Sequence, residues 1–487
     1  MNQNNILFYT DGYKPSHRNQ EIPGSTQKYY YMENRSNAVY PYSIFYGLQA
    51  VLKEYFLGEQ LTKDKIEEAD DFYGSYFGKK GVFPKEEFLR VMETYQGRLP
   101  LEIKAIPEGT LVNKGNVLFT VESTDRNISN GFIAGYFEPL LMHFWYPTAV
   151  ATKSFHTRTI IEKIARITGE DGCCFDFHVH DFGYRGATCS AAAMIGASAH
   201  LTVSKGTDTI LGIIGAQKFY NADPKTVGFS IPASEHSIMT QLGKDGEMDV
   251  LFHILEKYNE GIVAFPVDSF DAIDMITKGA ERIKSTILQN YERTNGNFKV
   301  VFRLDSPRCK GDTPEEQVLW AHKELARIYG TTENHKGFTS LHPAIGILYG
   351  DGLTTEDIGR IYNTLAANKF CIGSFCVGQG GGLLQKVSRD TQSTAYKLSK
   401  QVLNGKDITV QKIPLDISKA SKPGRLKLFK EIQPNGESVL TTMSDSHPLY
   451  NDVNCEMVPV FRNGELLVDY SFDEIREKVK ANLLNFK

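Results

Sequence analysis

Residues 344–352, Ala-Ile-Gly-Ile-Leu-Tyr-Gly-Asp-Gly, and 370–382, Phe-Cys-Ile-Gly-Ser-Phe-Cys-Val-Gly-Gln-Gly-Gly-Gly, decide the fold class of this chain. Each is a short apolar run that ends in glycine and polar residues, and Glu356–Ala367 between them carries a mixed helical face. A strand, a helix and a second strand of this kind form a parallel unit, because parallel strands are covered on both faces and read as continuous apolar runs. The same pattern extends upstream. Phe175–His180 ends in Asp-Phe-Gly-Tyr-Arg-Gly before the alanine-rich Ser190–His200, and Ile262–Val267 ends in Asp268-Ser269 before Ala272–Leu288. Phe298–Phe302 ends in Arg303-Leu304-Asp305-Ser306 before Pro314–Tyr329. Repeated strand–helix units predict an α/β fold, and charged residues gathered at strand C-terminal ends favour a barrel over an open sheet.

The flanks follow a different pattern. Leu101–Val112 and Val117–Glu122 are strand-like, and Val458–Phe461 and Glu465–Val468 bracket the hairpin signal Arg462-Asn463-Gly464. Ser471 and Glu474 form a capping box for a terminal helix. The expected organisation is therefore a barrel over 151–390. Residues 1–150 and 391–487 together form a second, antiparallel-sheet-rich α+β domain. No low-complexity linker separates them.

A formal charge of -4, from 54 basic and 58 acidic residues, leaves no electrostatic footprint for nucleic acid or an anionic membrane. The most apolar run, 131–150, is broken by Glu138, Pro139, His143 and Pro147 and predicts buried helices rather than a membrane span. A polar N-terminus and seven thinly spread cysteines point to a reducing, cytoplasmic setting. Cys174, Asp176, His178 and His180 alternate on one strand face and imitate metal ligands, but no second ligand pair accompanies them.

Glycines 380–382, followed by a helix-like segment, suit a phosphate: they lack β-carbons, and the first N–H groups of a helix have no internal acceptor. Arg389 is placed about two turns further on. Phe182 beside Arg185 fits a flat heterocycle next to a phosphate, or else a structural Arg–Asp pair beneath a core aromatic. Asp268, Asp305 and Asp351, each ending a different apolar run, predict a site for sugar hydroxyls or Mg²⁺. Asp208 lies in a polar turn. Glu235-His236 has the composition of a general base or of a phosphoryl acceptor.

Thr10–Lys14, Phe45–Leu48, Gly115–Glu122, His180–Gly186, Gly196–Leu201, Lys205–Thr209, Pro232–Ser237, Gly350–Gly352, Gly380–Lys386 and Tyr470–Arg476 occur in the order and spacing of a known family. On these motifs the chain resembles the nicotinamide phosphoribosyltransferase family along essentially its whole length. The resemblance implies an irregular (β/α) barrel of the type II phosphoribosyltransferase kind and a homodimer with interface active sites. It further implies transfer from phosphoribosyl diphosphate to nicotinamide, with Mg²⁺ and stimulation by ATP. By the same resemblance Phe182 and Tyr13 would stack the ring from opposite faces, Tyr13 coming from the second copy, and Asp208 would accept from the carboxamide. Arg185 would bind phosphate, and Arg303, Asp268 and Asp305 would hold ribose, diphosphate and metal. Gly350, Asp351, Gly381, Gly382 and Arg389 would surround the ribose phosphate, with Arg35 and Lys397 reaching across the interface. His236 stands at the phosphohistidine position, with Glu235 as its orienter. Three features depart from the family pattern: the loop Ser306–Asp312, where Arg308 and Lys310 add charge; Gly12 in place of serine; and Gln379 in the cradle. The competing readings are a nicotinate or quinolinate phosphoribosyltransferase and a non-catalytic, barrel-derived nucleotide-binding protein.

Overall fold

A computed structural model describes residues 4–127, 131–170, 175–307, 309–415, 419–434 and 438–485. Two compact units divide the chain. One comprises Met1–Thr152, Gln217–Ala222 and Val387–Asn482, and the other Lys153–Ala216, Asp223–Lys386 and Leu483–Lys487.

The second unit is built on six parallel strands: β1 (Val179–Asp181), β2 (Gly206–Thr207), β3 (Gly261–Pro266), β4 (Phe298–Leu304), β5 (Ile345–Tyr349) and β6 (Phe375–Gln379). Their order across the sheet is β2-β1-β6-β5-β4-β3. Residues 229–233 link the two edges, since Phe229 bridges Gly206 and Ala233 bridges Ala264, both in parallel. The sheet is thereby curled round into a barrel, as the strand–helix pattern predicts. Alternation along β4 sorts the side chains. Val300, Phe302 and Leu304 pack into the outer core, while Lys299, Val301 and Arg303 face an inner cavity. The final residues of the inner face therefore fall at the strand C-terminal end, where barrels carry their sites.

Helices cover the outside much as read. Pro314–Tyr329 is capped by Thr313, whose hydroxyl accepts from Glu316 N, and Thr355–Ala367 opens with a Thr354/Asp357 capping box. The expected helix from Ala272 has a π-helical segment at Met275–Gly279 before it continues as Ala280–Arg293. The segment after the glycines is shorter than predicted: only Gly381–Leu384 is helical. Glycines lower helix propensity, and side-chain bonds at Ser388 and Thr391 offer the next backbone a competing turn.

The first unit contains a seven-stranded antiparallel sheet in the order 406–409, 394–403, 25–34, 117–123, 101–105, 458–462, 465–466, so N- and C-terminal segments share one sheet. The predicted terminal cap is present: Ser471 N donates to Glu474 Oε2 at 2.8 Å, and Glu474 N to Ser471 Oγ at 3.3 Å, ahead of the helix Phe472–Asn485. Among the described residues no helix is long and apolar enough to cross a membrane.

Candidate active site

Two cavities meet inside the barrel unit. The inner one, about 380 Å³, is mostly apolar and runs between Phe177, Ile262, Val301, Ile347 and Phe375. The outer one, about 820 Å³, opens at the strand C-terminal ends and is lined by Arg185, Glu235, Asp305, Gly350 and Gly381 among others. Phe182, Asp208, Ala233 and Arg303 line both.

Phe182 follows β1 and is tied to β6 by its N–H, which donates to Gln379 O at 2.8 Å. Its ring lies directly against Gly378: a β-carbon there would come within 2.1 Å of ring atom Cε2. Gly378 must be glycine for the ring to stand where it does. Buried Asp181 fixes the turn beneath, accepting from Gly183 N at 2.7 Å on Oδ1 and from Thr207 Oγ1 at 3.0 Å on Oδ2. Asp181 thus braces the Phe182 turn and the Asp208 turn together, and the Arg–Asp reading of this motif gives way to Asp–Thr and Asp–amide bonds. Arg185, on the short turn Tyr184–Gly186, lines the outer cavity.

Asp208 accepts from His180 Nε2 at 3.0 Å and from Ser230 Oγ. Burial pushes its carboxyl up, yet these donors outweigh burial and hold it below the usual carboxylate range.

On the acidic side, His236 Nε2 lies 3.0 Å from Asp268 Oδ1, and Asp305 N donates to Asp268 Oδ2 at 3.2 Å. A carboxylate only accepts, so Nε2 of the neutral ring carries the proton and the lone pair falls on Nδ1, which faces Asp305 Oδ2 at 3.9 Å. Asp305 is also paired with Arg303 at 3.2 Å. The expected orienter, Glu235, is not placed on His236: its Oε1 accepts from Ser237 Oγ at 2.5 Å. Neighbouring residues at a helix start point in different directions, and it is Asp268, distant in sequence, that reaches the ring. Asp305 and Asp268 are joined through the Asp305 amide, and the Asp351 carboxyl is raised by burial and then by the charges of those two. Gly350 sits between Asp305 and the Phe182 ring; a β-carbon there would come within 2.9 Å of Asp305 Oδ1 and 3.8 Å of Phe182 Cε2.

The glycine cradle is only partly as expected. Gly380 and Gly381 line the outer cavity, whereas Gly382 packs against the Leu353 carbonyl, which a β-carbon would meet at 2.9 Å. Gln379 is a buried strut that donates to the same carbonyl at 3.2 Å. Buried Lys153 donates to Gly382 O from below. His178 and His180 both line the inner cavity, but Asp176 is taken up by Arg158, and Cys174 lies outside the described residues. Among the described residues no cluster of three or more His, Cys, Asp or Glu is arranged to hold a metal. In the divergent loop, Gln317 anchors the chain by donating to Ser306 O at 3.1 Å and accepting from Cys309 N at 3.2 Å; Arg308 lies outside the described residues.

Four predicted site residues belong to the other unit. Lys397, on the strand 394–403, is shifted down by burial and then by Arg35, with Arg389 adding a smaller push. Tyr13 is exposed, with its hydroxyl bonded to Asp11 at 3.2 Å. Gly12 is glycine because a β-carbon would come within 2.4 Å of the Tyr76 hydroxyl.

Sequence reasoning missed His180, Ser230, Gly378 and Asp181 as organisers. The Ser230 signal was present in sequence only as a polar residue within an apolar run, Phe229-Ser230-Ile231.

Comparison with known proteins places this geometry. Residues 177–455 match the nicotinate phosphoribosyltransferase family. The chain belongs to that family. Residues 5–103 match the N-terminal domain of nicotinamide phosphoribosyltransferase. A nicotinamide phosphoribosyltransferase of Xanthomonas campestris pv. campestris is 33% identical over 484 residues, covering 98% of each chain, and one from Acinetobacter baylyi is 28% identical over 99% of this chain and 98% of its own. Among solved structures, a nicotinate-nucleotide pyrophosphorylase from Pyrococcus furiosus superposes with a TM-score of 0.59 at 17% identity, covering 100% of this chain and 97% of its own. Human nicotinic acid phosphoribosyltransferase gives 0.58 at 14%, covering 98% and 94%. At these identities the structural likeness speaks to the fold, which is that of the type II phosphoribosyltransferases. As a member of this family the chain is an enzyme, a pentosyltransferase.

Proposed function

We propose that the chain transfers the phosphoribosyl group of phosphoribosyl diphosphate to nicotinamide, giving nicotinamide mononucleotide and diphosphate, as a step of NAD salvage. The observation that carries this reading is the junction of an apolar slot and a polar mouth at Phe182, Asp208 and Arg303. A pyridine ring stacks on Phe182, and an ionised Asp208 welcomes an amide N–H while opposing a ring carboxylate. The names of the curated relatives favour the same substrate.

Displacement of diphosphate builds positive charge at the anomeric carbon, so the mouth must stabilise the leaving group while the ring is held in line. Arg185 and Arg303 offer cationic contacts to phosphate, and Gly381 brings backbone close to it. No covalent nucleophile is required for transfer. The donor set fits Mg²⁺, which is commonly held by one or two carboxylates plus water and substrate phosphates rather than by a protein cage. Asp305 and Asp351 are the carboxylates that would hold it; Asp268, with both oxygens engaged by His236 and the Asp305 amide, would act through water. Bound there, Mg²⁺ would neutralise charge on the departing diphosphate.

His236 is proposed to take the γ-phosphoryl group of ATP on Nδ1, with ADP leaving and Asp268 retaining the Nε2 proton. Tyr13, Arg35, Arg389 and Lys397 are proposed to complete the site of a second copy in a homodimer working in the cytoplasm. The deciding experiment is diphosphate release with nicotinamide or nicotinate, phosphoribosyl diphosphate and Mg²⁺, with and without ATP. Preferred turnover of nicotinamide is expected; equal or faster use of nicotinate would reject the role of Asp208.

A further inference from the structure

Asp208 is held on one of its two oxygens. His180 Nε2, at 3.0 Å, and Ser230 Oγ both meet Oδ1, and since a carboxylate only accepts, Nε2 carries a proton. Among the described residues no donor of the chain is found on Oδ2, and the half-exposed side chain stands where the two cavities join. His180 itself has little freedom. Its ring centroid is 5.0 Å from that of Phe182, and a β-carbon on Gly206 would come within 2.6 Å of its Nδ1. The imidazole is therefore wedged between the stacking ring and the backbone of β2, with Nε2 aimed at Asp208.

We propose that His180 is the specificity-positioning residue of the site: it presents Oδ2 of Asp208 to the ring substituent, and its protonation state sets how strongly a carboxamide is preferred to a carboxylate. The inference rests on Asp208 being the carboxamide acceptor. With His180 neutral the pair carries one negative charge, so Oδ2 accepts a carboxamide N–H and repels a ring carboxylate. With His180 protonated the pair is neutral and the repulsion of the carboxylate falls, while the amide still finds its acceptor. Other ionisable groups act on the pair. Asp181 lies beside His180 on β1 and His200 faces it from the helix Ser190–Leu201, while Arg303 on β4 acts on Asp208. Burial holds His200 down at about 4, so it takes up no proton in the range tested.

The test measures kcat/KM for nicotinamide and for nicotinate from pH 5.5 to 8.5 in the wild type, His180→Gln and Asp208→Asn. The amide-to-acid ratio comes from one preparation with both substrates, so a partly unfolded variant leaves it unaffected. In the wild type the ratio is expected to fall about tenfold or more toward acid, the order expected when one like-charge contact is removed. His180→Gln, which keeps an N–H donor but does not titrate, should hold a high ratio flat across the range. A wild-type ratio that does not change with pH, or a His180→Gln ratio with the wild-type slope, overturns the proposal. An Asp208→Asn ratio equal to that of the wild type overturns instead the reading of Asp208 on which it rests.

Discussion

The barrel unit contains two histidine–aspartate pairs with the same contact, 3.0 Å from Nε2 to Oδ1, and opposite exposure. In His180–Asp208 the histidine side chain is 13% exposed and the aspartate 46%; in His236–Asp268 the histidine is 42% exposed and the aspartate 2%. The contact alone says nothing about which partner works. Exposure does: only the open member is free to meet a ligand in the proposed reaction, and the closed member fixes its orientation and proton. On the ring side the open member is a carboxylate that accepts, and on the acidic side it is an imidazole whose lone pair lies on Nδ1, the atom proposed to attack ATP.

The largest effect is expected where the closed member is a buried carboxylate. Asp268→Asn keeps the shape but presents an amide to His236, which disfavours the Nε2-protonated ring and removes the charge that stabilises imidazolium. We expect ATP-stimulated turnover to drop by about 10²–10⁴, the usual contribution of a positioned acid–base group. Turnover within threefold of the wild type, with unchanged thermal unfolding, would break the assignment of Asp268 as orienter. His236→Ala comes next. It should remove the stimulation by ATP and the incorporation of label from γ-labelled ATP while a basal transfer rate persists; full stimulation without the ring would show that the two pairs do not divide the labour as drawn.

The two pairs also mark how far the site was legible in the sequence. Parallel strands buried on both faces announce themselves as apolar runs, so Asp268, Asp305 and Asp351 could be read as strand-end carboxylates from their position alone. The pairings themselves could not be read, because their members are 28 and 32 residues apart and only the pairing of neighbouring parallel segments brings them together. Glu235 illustrates the limit: adjacency in sequence made it the natural orienter of His236, and the helix start turns it to Ser237 instead. The divided role of the glycines was hidden for a similar reason. Gly378 is spaced like a cradle residue, yet its missing β-carbon makes room for the Phe182 ring, and Gly382 is required by a carbonyl packed against it.

A smaller effect sharpens the ring side. Phe182→Ala should weaken nicotinamide by about 1–3 kcal/mol through lost stacking, read as a raised KM with little change in kcat at saturation. Gly378→Ala should move KM in the same direction with Phe182 still present, because its β-carbon displaces the ring. If Gly378→Ala left KM unchanged, the ring would not need its observed position.

The smallest effect concerns the stability that the open aspartate contributes. Asp208 lies below the usual carboxylate range in the folded protein, burial raising it and the His180 and Ser230 donors lowering it further. A depressed carboxyl contributes stability that is fully present above the unfolded value, about 3.9, and is lost as pH falls through the folded value. Because the side chain is nearly half exposed, solvent screens the gain, and no more than about 1 kcal/mol is expected. The measurement belongs in a His180→Gln background, where no imidazole titrates beside the carboxylate. There the difference in urea midpoint between Asp208 and Asp208→Asn should stay constant from pH 7 to 5 and shrink only below about pH 4. A difference that shrinks between pH 7 and 5 would mean that burial raises Asp208 once the imidazole is gone, so that its lowered carboxyl depends on His180 rather than on Ser230.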